Sequence, residues 1–310
     1  MTIRTFGCII IIWELQYFGY KGKVLFMVKY EAELFDNNRY SLGESPYYDP
    51  RFERFSWVDI INGRLWMRDK EGNKRSFDLG QPIGAAVPLK RSDGFLLAAM
   101  DGLYIYEDGK AEKYLDLNGT YKPYWRSNDA KADPSGRLWF GASVADDDHA
   151  PEGNLYCYSD GAVKIMQANT RISNGMAWSR DGKNFYFSDS PEYAVFIYDH
   201  NPETGNITNR RVLFTIENGV PDGLTIDSDD NIWVAIWGGN RIEKHDGRTG
   251  ELLAEITVPA KQTSSCCFCG DDMKTLFITS AGVGLDGEYD GCLFTCRVNA
   301  QGVAPDYMVL

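Results

Sequence analysis

Histidine is scarce: the 310 residues contain 3, His149, His200 and His245, each in a polar, turn-like stretch. No G-x-S-x-G elbow occurs, so the nucleophile turn is missing, and with few histidines the chain argues against a Ser-His-Asp hydrolase. Basic residues are outnumbered, 32 against 44 acids, and the net charge of −12 argues against a nucleic-acid partner, which needs a basic face. The apolar run at residues 8–13, CIIIIW, is too short to span a bilayer, and no small-residue cleavage site follows it. The 7 cysteines match no disulfide framework, and neither CCFC (266–269) nor CLFTC (292–296) has the paired spacing or histidine partners of a zinc site. They read as buried thiols acting as small hydrophobes, in a reducing compartment. GVGLDG (282–287) fits a dinucleotide fingerprint, but strand-like GCLFTC follows where a helix would have to meet the pyrophosphate.

What the chain does have is apolar residues (44%), aromatics (14%) and 31 glycines, the composition of a folded protein of strands and tight turns. Six segments repeat one pattern, a polar turn and then a short hydrophobic strand with a large residue: PRFERFSWVDI, SDGFLLAAM, PSGRLWFGA, RDGKNFYFSD, SDDNIWVAI and DDMKTLFITS. Their landmarks, Trp57, Leu97, Trp139, Tyr186, Trp233 and Phe277, are spaced 40 to 47 residues apart. A second alternating strand follows each landmark, often ending in Asp-Gly or Thr-Gly. Units of this length with several strands and no helix predict an all-β, six-bladed β-propeller with four-stranded antiparallel blades. A β-sandwich accounts for the long period less well. The repeat predicts a single domain over residues 27–310. Residues 1–26 lack it, MVKYEAELF from Met27 reads as a start, and the segment before it is expected to be an extension outside the fold.

Polar residues recur at one phase of the repeat. Asp222 precedes Trp233 by 11 residues, Asn174 precedes Tyr186 by 12, Arg126 and Asn128 precede Trp139 by 13 and 11, and Glu44 precedes Trp57 by 13. Gly84 and Ala85 hold this phase in the second repeat, and residues 264–266 in the sixth. If the phase marks the start of the innermost strand, these side chains converge at one mouth of the central channel. Two carboxylates, an amide and a guanidinium are costly to bury together without a purpose. A metal ion would balance the carboxylates, and oxygen-only ligands favour Ca²⁺, Mg²⁺ or Mn²⁺, with Zn²⁺ also admissible. The competing reading is that Pro-Asp-Gly and Ser-Asn-Gly are only turns.

The stretches LGESPYYD…FSWVDI, RSNDAKADPSGRLWFGA, ISNGMAWSRDGKNFYFSDS, VPDGLTIDSDDNIWVAIWGG and FCGDDMKTLFITSAG, in order from about residue 40, resemble the successive signatures of the senescence marker protein/regucalcin/gluconolactonase family of six-bladed propellers. The resemblance implies metal-dependent hydrolysis of sugar lactones such as glucono-, xylono- or arabinonolactone. It makes Glu44, Asn174 and Asp222 ligands of one divalent ion. It makes Arg126 and Asn128 the residues that hold the substrate, joined by an acidic residue at Asp146, or at Asp147 or Asp148 beside it. Asp222 is then the expected general base. Ala130 stands where the family usually has Gly, and Cys269 where Phe-Gly-Gly is usual; both are expected near the pocket loops. The alternatives left open are a calcium-binding regulatory propeller without turnover and a promiscuous esterase or organophosphate hydrolase. The expected protein is cytoplasmic, with no membrane or nucleic-acid partner, and a monomer or weak homodimer.

Overall fold

The structure, a computed structural model, describes residues 3–5, 8–10, 27–146 and 148–310. Among these residues the one helix is a single 3-10 turn at Ser190–Glu192; the rest of the regular structure is strand. No helix among them is long and apolar enough to cross a membrane. GVGLDG is followed by turn and then by the strand Leu293–Arg297, with no helix to meet a nucleotide.

The arrangement is that of a β-propeller. Six strands, Gly43–Asp49, Ile83–Pro88, Trp125–Ala132, Ser173–Trp178, Val220–Ile226 and Gln262–Cys269, lie side by side in cyclic order, the last returning to the first. Each begins an antiparallel meander that runs outward from the centre. The meanders starting at Gly43, Ile83, Trp125 and Ser173 are four separate four-stranded sheets.

The expectation of six separate four-stranded sheets differs from what is found for the remainder, which is one nine-stranded sheet. Two features produce it. The meanders starting at Val220 and Gln262 are joined through a single residue pair, Trp237↔Gln262. The chain before the first meander also supplies two outer strands. Val28–Glu31 pairs parallel with Leu252–Thr257, and Glu33–Asp36 pairs antiparallel with Leu293–Arg297. Residues 28–36 thus close the ring by covering the outer edges of the last two meanders. Of residues 1–26, only Ile3–Thr5 and Cys8–Ile10 are described, paired as a two-stranded ladder of their own. For the rest, the expected extension lies outside the described residues.

The repeated landmarks are the packing centres. Trp57, Leu97, Trp139, Tyr186, Trp233 and Phe277 are each at most 2% exposed. In two repeats the preceding turn and the landmark are tied by one buried carboxylate. Asp133 accepts from the Ser135 and Arg137 backbone N–H at 2.9 and 3.0 Å and from Trp139 Nε1 at 3.1 Å. Asp227 does the same for Asp229, Asn231 and Trp233, at 3.0, 3.0 and 3.1 Å. One side chain therefore satisfies turn N–H groups and an indole N–H that burial would otherwise orphan. Cys157, Cys266, Cys269, Cys292 and Cys296 are free and buried, and Cys267 is free and half-buried, as expected of small hydrophobes.

The C-terminal segment crosses one end of the channel. Gly302 bridges Asp227, Met308 bridges Leu89, the Val309 N–H donates to Gly136, and the Tyr307 hydroxyl donates to Asp49 at 3.2 Å. Beneath it lies a cavity lined by Tyr47, Lys131, Trp178, Cys267 and Asp306 among others.

Candidate active site

Each innermost strand breaks register in its first half. The extra residues fall at Ser45 and Pro46, Gly84, Asn128 and Asp129, Asn174 and Gly175, Asp222 and Gly223, and Ser264. These are β-bulges, which bend a strand and re-aim its side chains. Asp222 is therefore inside the strand Val220–Ile226, not in a turn ahead of it. Glu44 directly precedes its bulge, and Ser45 takes up the strain at φ 49°.

Small residues at the bulges let the ring draw tight. A Cβ on Gly175 would lie 2.4 Å from Leu224 N and 2.6 Å from Asp222 O, and one on Gly223 would lie 2.0 Å from Ser265 Oγ. Gly84, which holds the phase in the second repeat, is pressed just as closely on the carbonyls of Ser127 and Asn128.

Three of the sequence-predicted residues, Arg126, Asn128 and Asn174, join in one hydrogen-bonded set with their neighbours. Arg126 Nη1 donates to Asn128 Oδ1 at 2.7 Å and to the Ser127 carbonyl at 2.9 Å. Asn128 Nδ2 donates to Asn174 Oδ1 at 2.8 Å and to the Ser173 carbonyl at 3.0 Å. Asn174 Nδ2 donates to Ser190 Oγ at 2.7 Å, and Ser190 Oγ donates to the Pro221 carbonyl at 2.7 Å, next to Asp222. Glu44 Oε2 accepts from the Ser45 backbone N–H at 2.7 Å. Glu44, Asn128, Asn174 and Asp222 are all buried.

The electrostatics show that Glu44 and Asp222 share this environment. Burial, then the nearby Asp129, pushes Glu44 up to about 8. Burial raises Asp222 well above the usual carboxylate range, with Glu44 and Asp129 adding to the rise. Arg126 is pushed down to about 10 by burial, while Glu44 and Asp222 hold it up. Asp129, which the sequence reading passed over, is buried and raised by desolvation, and its Oδ2 has no hydrogen-bond partner among the described residues. Its signal was adjacency to Asn128 in RSNDAKAD, indistinguishable there from a turn acid. Among the described residues no three His, Cys, Asp or Glu side chains group to hold a metal. The donor set is two carboxylates and one amide oxygen. Hard oxygen donors, with excess negative charge in a desolvated place, fit a divalent cation.

Asp146 is not brought into this set. It follows the strand Leu138–Val144, in which Ser143 pairs with Arg126, so its loop rises from the same end of the channel. Its Oδ1 is engaged within the loop, accepting from the Asp148 and His149 backbone N–H and meeting His149 Nδ1 at 2.8 Å. His149 stacks on Tyr124 at 3.7 Å. Asp148 is exposed, and Asp147 lies outside the described residues.

The SMP-30/gluconolactonase/LRE-like region model matches residues 42–282, from just before Glu44 to beyond the sixth landmark. The chain belongs to this family. Relatives include the pentonolactonase XacC of Haloferax volcanii, 34% identical over 84% of this chain and 92% of its own. A regucalcin of Danio rerio is 31% identical over 90% of this chain and 97% of its own. A solved structure of a calcium-binding regucalcin from Agrobacterium tumefaciens superposes with a TM-score of 0.85 at 28% identity, covering 91% of this chain and 98% of the other. Of the two expected departures from the family pattern, Ala130 does adjoin a site bulge, but it is fully buried and packs in the apolar core. Cys269 is not near the pocket loops. It ends its strand five residues beyond the Ser264 bulge, about 16 Å along an extended chain. There it packs with Tyr48, Trp57 and Phe277.

The raised carboxylates give this cluster a pH signature. Glu44 moves from its ordinary 4.5 to about 8 on folding, so the folded protein holds that proton more tightly than the unfolded chain. The stability this confers is complete below the unfolded value and is lost as pH rises through the folded one. Chelator-treated protein should therefore melt progressively lower from about pH 5 to about pH 9. Added divalent cation should recover most at the alkaline end. Calorimetric scans across that range check both; a melting temperature that climbs with pH in chelator contradicts the assignment.

Proposed function

We propose that the chain is a metal-dependent hydrolase that opens sugar lactones, with the ring read as six blades. The blade count is supported by six inner strands with six register breaks, and by the single residue pair that joins the two halves of the nine-stranded sheet. The function rests on one observation: Glu44, Asn174 and Asp222, each from its own sheet, and Arg126 and Asn128 from a fourth, gather into one charged group in which Arg126, Asn128 and Asn174 are hydrogen-bonded in series. Lactonase relatives of this family support the substrate class.

Glu44, Asn174 and Asp222 are the residues that would hold the ion. A divalent cation there supplies Lewis-acid polarisation of a lactone carbonyl and makes water a better nucleophile near neutral pH. Asp222 accepts the proton of the attacking water, which requires its carboxylate ionised against the pull of burial. Protonated, it can return that proton to the ring oxygen as the C–O bond breaks, leaving a hydroxy acid. Arg126 has both Nη1 protons committed to Ser127 and Asn128, so Nε and Nη2 are its donors for the developing oxyanion. Asn128 spends both amide protons on Ser173 and Asn174, so it meets substrate only as an acceptor, through Oδ1, and selects for a sugar hydroxyl. Asp146 serves as a second hydroxyl contact once its loop bonds to His149 are released.

A calcium-binding role without turnover is the second reading, favoured by the regucalcin relatives. Assaying a panel of aldonolactones and simple carboxylic esters with Ca²⁺, Mg²⁺, Mn²⁺ and Zn²⁺ separates the two. Lactone opening well above the ester rates supports the hydrolase; tight Ca²⁺ binding with no turnover on any substrate overturns it.

A further inference from the structure

The hydrogen bonds that tie the site together run in one direction, and both ends of the run are chemically obliged. At one end, the Arg126 guanidinium can only donate; at the other, the Pro221 carbonyl can only accept. Between them lie Asn128, Asn174 and Ser190, linked at 2.7, 2.8, 2.7 and 2.7 Å. All three are less than 10% exposed, so water does not readily substitute for a missing partner. Because Pro221 takes the Ser190 hydroxyl proton, Ser190 Oγ has only lone pairs to offer Asn174. Asn174 must therefore turn its Nδ2 toward Ser190 and its Oδ1 toward Asn128. Reversing the Asn174 amide would set Nδ2 against the Asn128 Nδ2 donor and Oδ1 against the Ser190 lone pairs, two repulsive contacts at once.

We infer that Ser190 is a positioning residue: through this one-way run it holds Asn174 with its oxygen, and not its NH₂, available to a bound cation. The inference rests on the reading of Asn174 as a metal ligand. Ser190 is well placed for the task. It opens the 3-10 turn Ser190–Glu192, directly after the strand Asn184–Asp189, and its own backbone N–H donates to Ile172 at 3.3 Å. The turn thus reaches sideways to the next innermost strand, where Pro221 precedes Asp222. One hydroxyl ties the Asn174 amide to the backbone just before Asp222, across adjacent meanders. An alanine here leaves Asn174 Nδ2 without its acceptor and the amide free to rotate; an NH₂ facing the cation repels it.

Calorimetric titration of Ca²⁺ and Mn²⁺ into the metal-stripped full chain tests this, with Asn174→Ala, Ser190→Ala, Ser190→Thr and the double variant alongside. Ser190→Ala should weaken metal binding by roughly 10- to 100-fold, the usual cost of losing a partner that orients a ligand. Ser190→Thr keeps the hydroxyl and should bind near the wild-type level. In the Asn174→Ala background, Ser190→Ala should cost nothing further, because the amide it orients is gone. A merely structural serine would lower the melting temperature and leave metal affinity alone. If Ser190→Ala does not fold, Ser190→Cys fills the same space with a poor hydrogen-bonding group and should also weaken binding. Wild-type affinity in Ser190→Ala, or in Ser190→Cys where the alanine variant does not fold, together with weakened binding in Asn174→Ala, overturns the inference and leaves the ligand reading standing. Unchanged affinity in Asn174→Ala overturns the ligand reading, and the inference with it.

Discussion

Asp222→Asn is expected to leave the fold intact and to cut lactone turnover by roughly 10²–10⁴-fold, the usual range for losing a general base. The residue is buried in a strand bulge with Glu44, Asp129 and the opposing Arg126 as its charged neighbours, and its one backbone partner is the Gly223 N–H. An asparagine keeps the shape and an oxygen for that N–H. It loses the negative charge and the proton acceptor. In metal-free protein the change should even be mildly stabilising, because the carboxylate it removes is one that burial and like charge disfavour. Metal affinity should fall, since one anionic ligand is gone. Glu44→Gln should weaken metal binding too, yet excess metal should restore its turnover far better than it restores that of Asp222→Asn. Saturating-metal kinetics of the two variants make the comparison. Near wild-type turnover by Asp222→Asn would mean that Asp222 is not the base.

Gly175→Ala should abolish most turnover without touching a polar group. Asn174 and Asp222 come from adjacent strands that approach closely at this glycine, and an added Cβ meets Leu224 N at 2.4 Å and Asp222 O at 2.6 Å. Both atoms are backbone, so the strands must move apart by a sizeable fraction of an ångström. Overpacking of this kind costs about 1–3 kcal/mol. Its larger effect is on the site, where a displacement of about 1 Å can cost roughly 100-fold in rate. Gly161→Ala is the control. It sits in a turn at φ 77° with nothing within 4 Å, so it should lose stability and keep turnover. Equal turnover in Gly175→Ala and Gly161→Ala would show that the close approach does not set the site's geometry.

The periodic part of this architecture was legible because the same chemistry recurs: a polar turn, then a large apolar residue that becomes fully buried. Trp57, Trp139 and Trp233 announce their strands and occupy the core. The bulges were not legible. One extra residue per strand leaves the next strand's alternation untouched, and Pro-Asp-Gly reads equally well as a turn. That is why the turn reading of Asp222 competed with the strand reading, and the structure places it within a strand. Asp129 and Ser190 were missed for a different reason. Their roles depend on closure of the ring, which brings Ser190 to Pro221 across 31 residues and Asn128 to Asn174 across 46. The outer strands at residues 28–36 were invisible for the same cause. They pair with segments more than 200 residues away, and no local pattern records such partners.

The central claim, a lactonase that works through a cation at Glu44, Asn174 and Asp222, is tested most directly by one assay. The rate of aldonolactone opening is followed on metal-stripped full-length chain while a divalent cation is titrated in. The account predicts no rate above the uncatalysed background before metal, and saturation at about one bound ion per chain as the three ligands fill. Full activity in the presence of excess chelator, or no activity with any of the four cations, would contradict it.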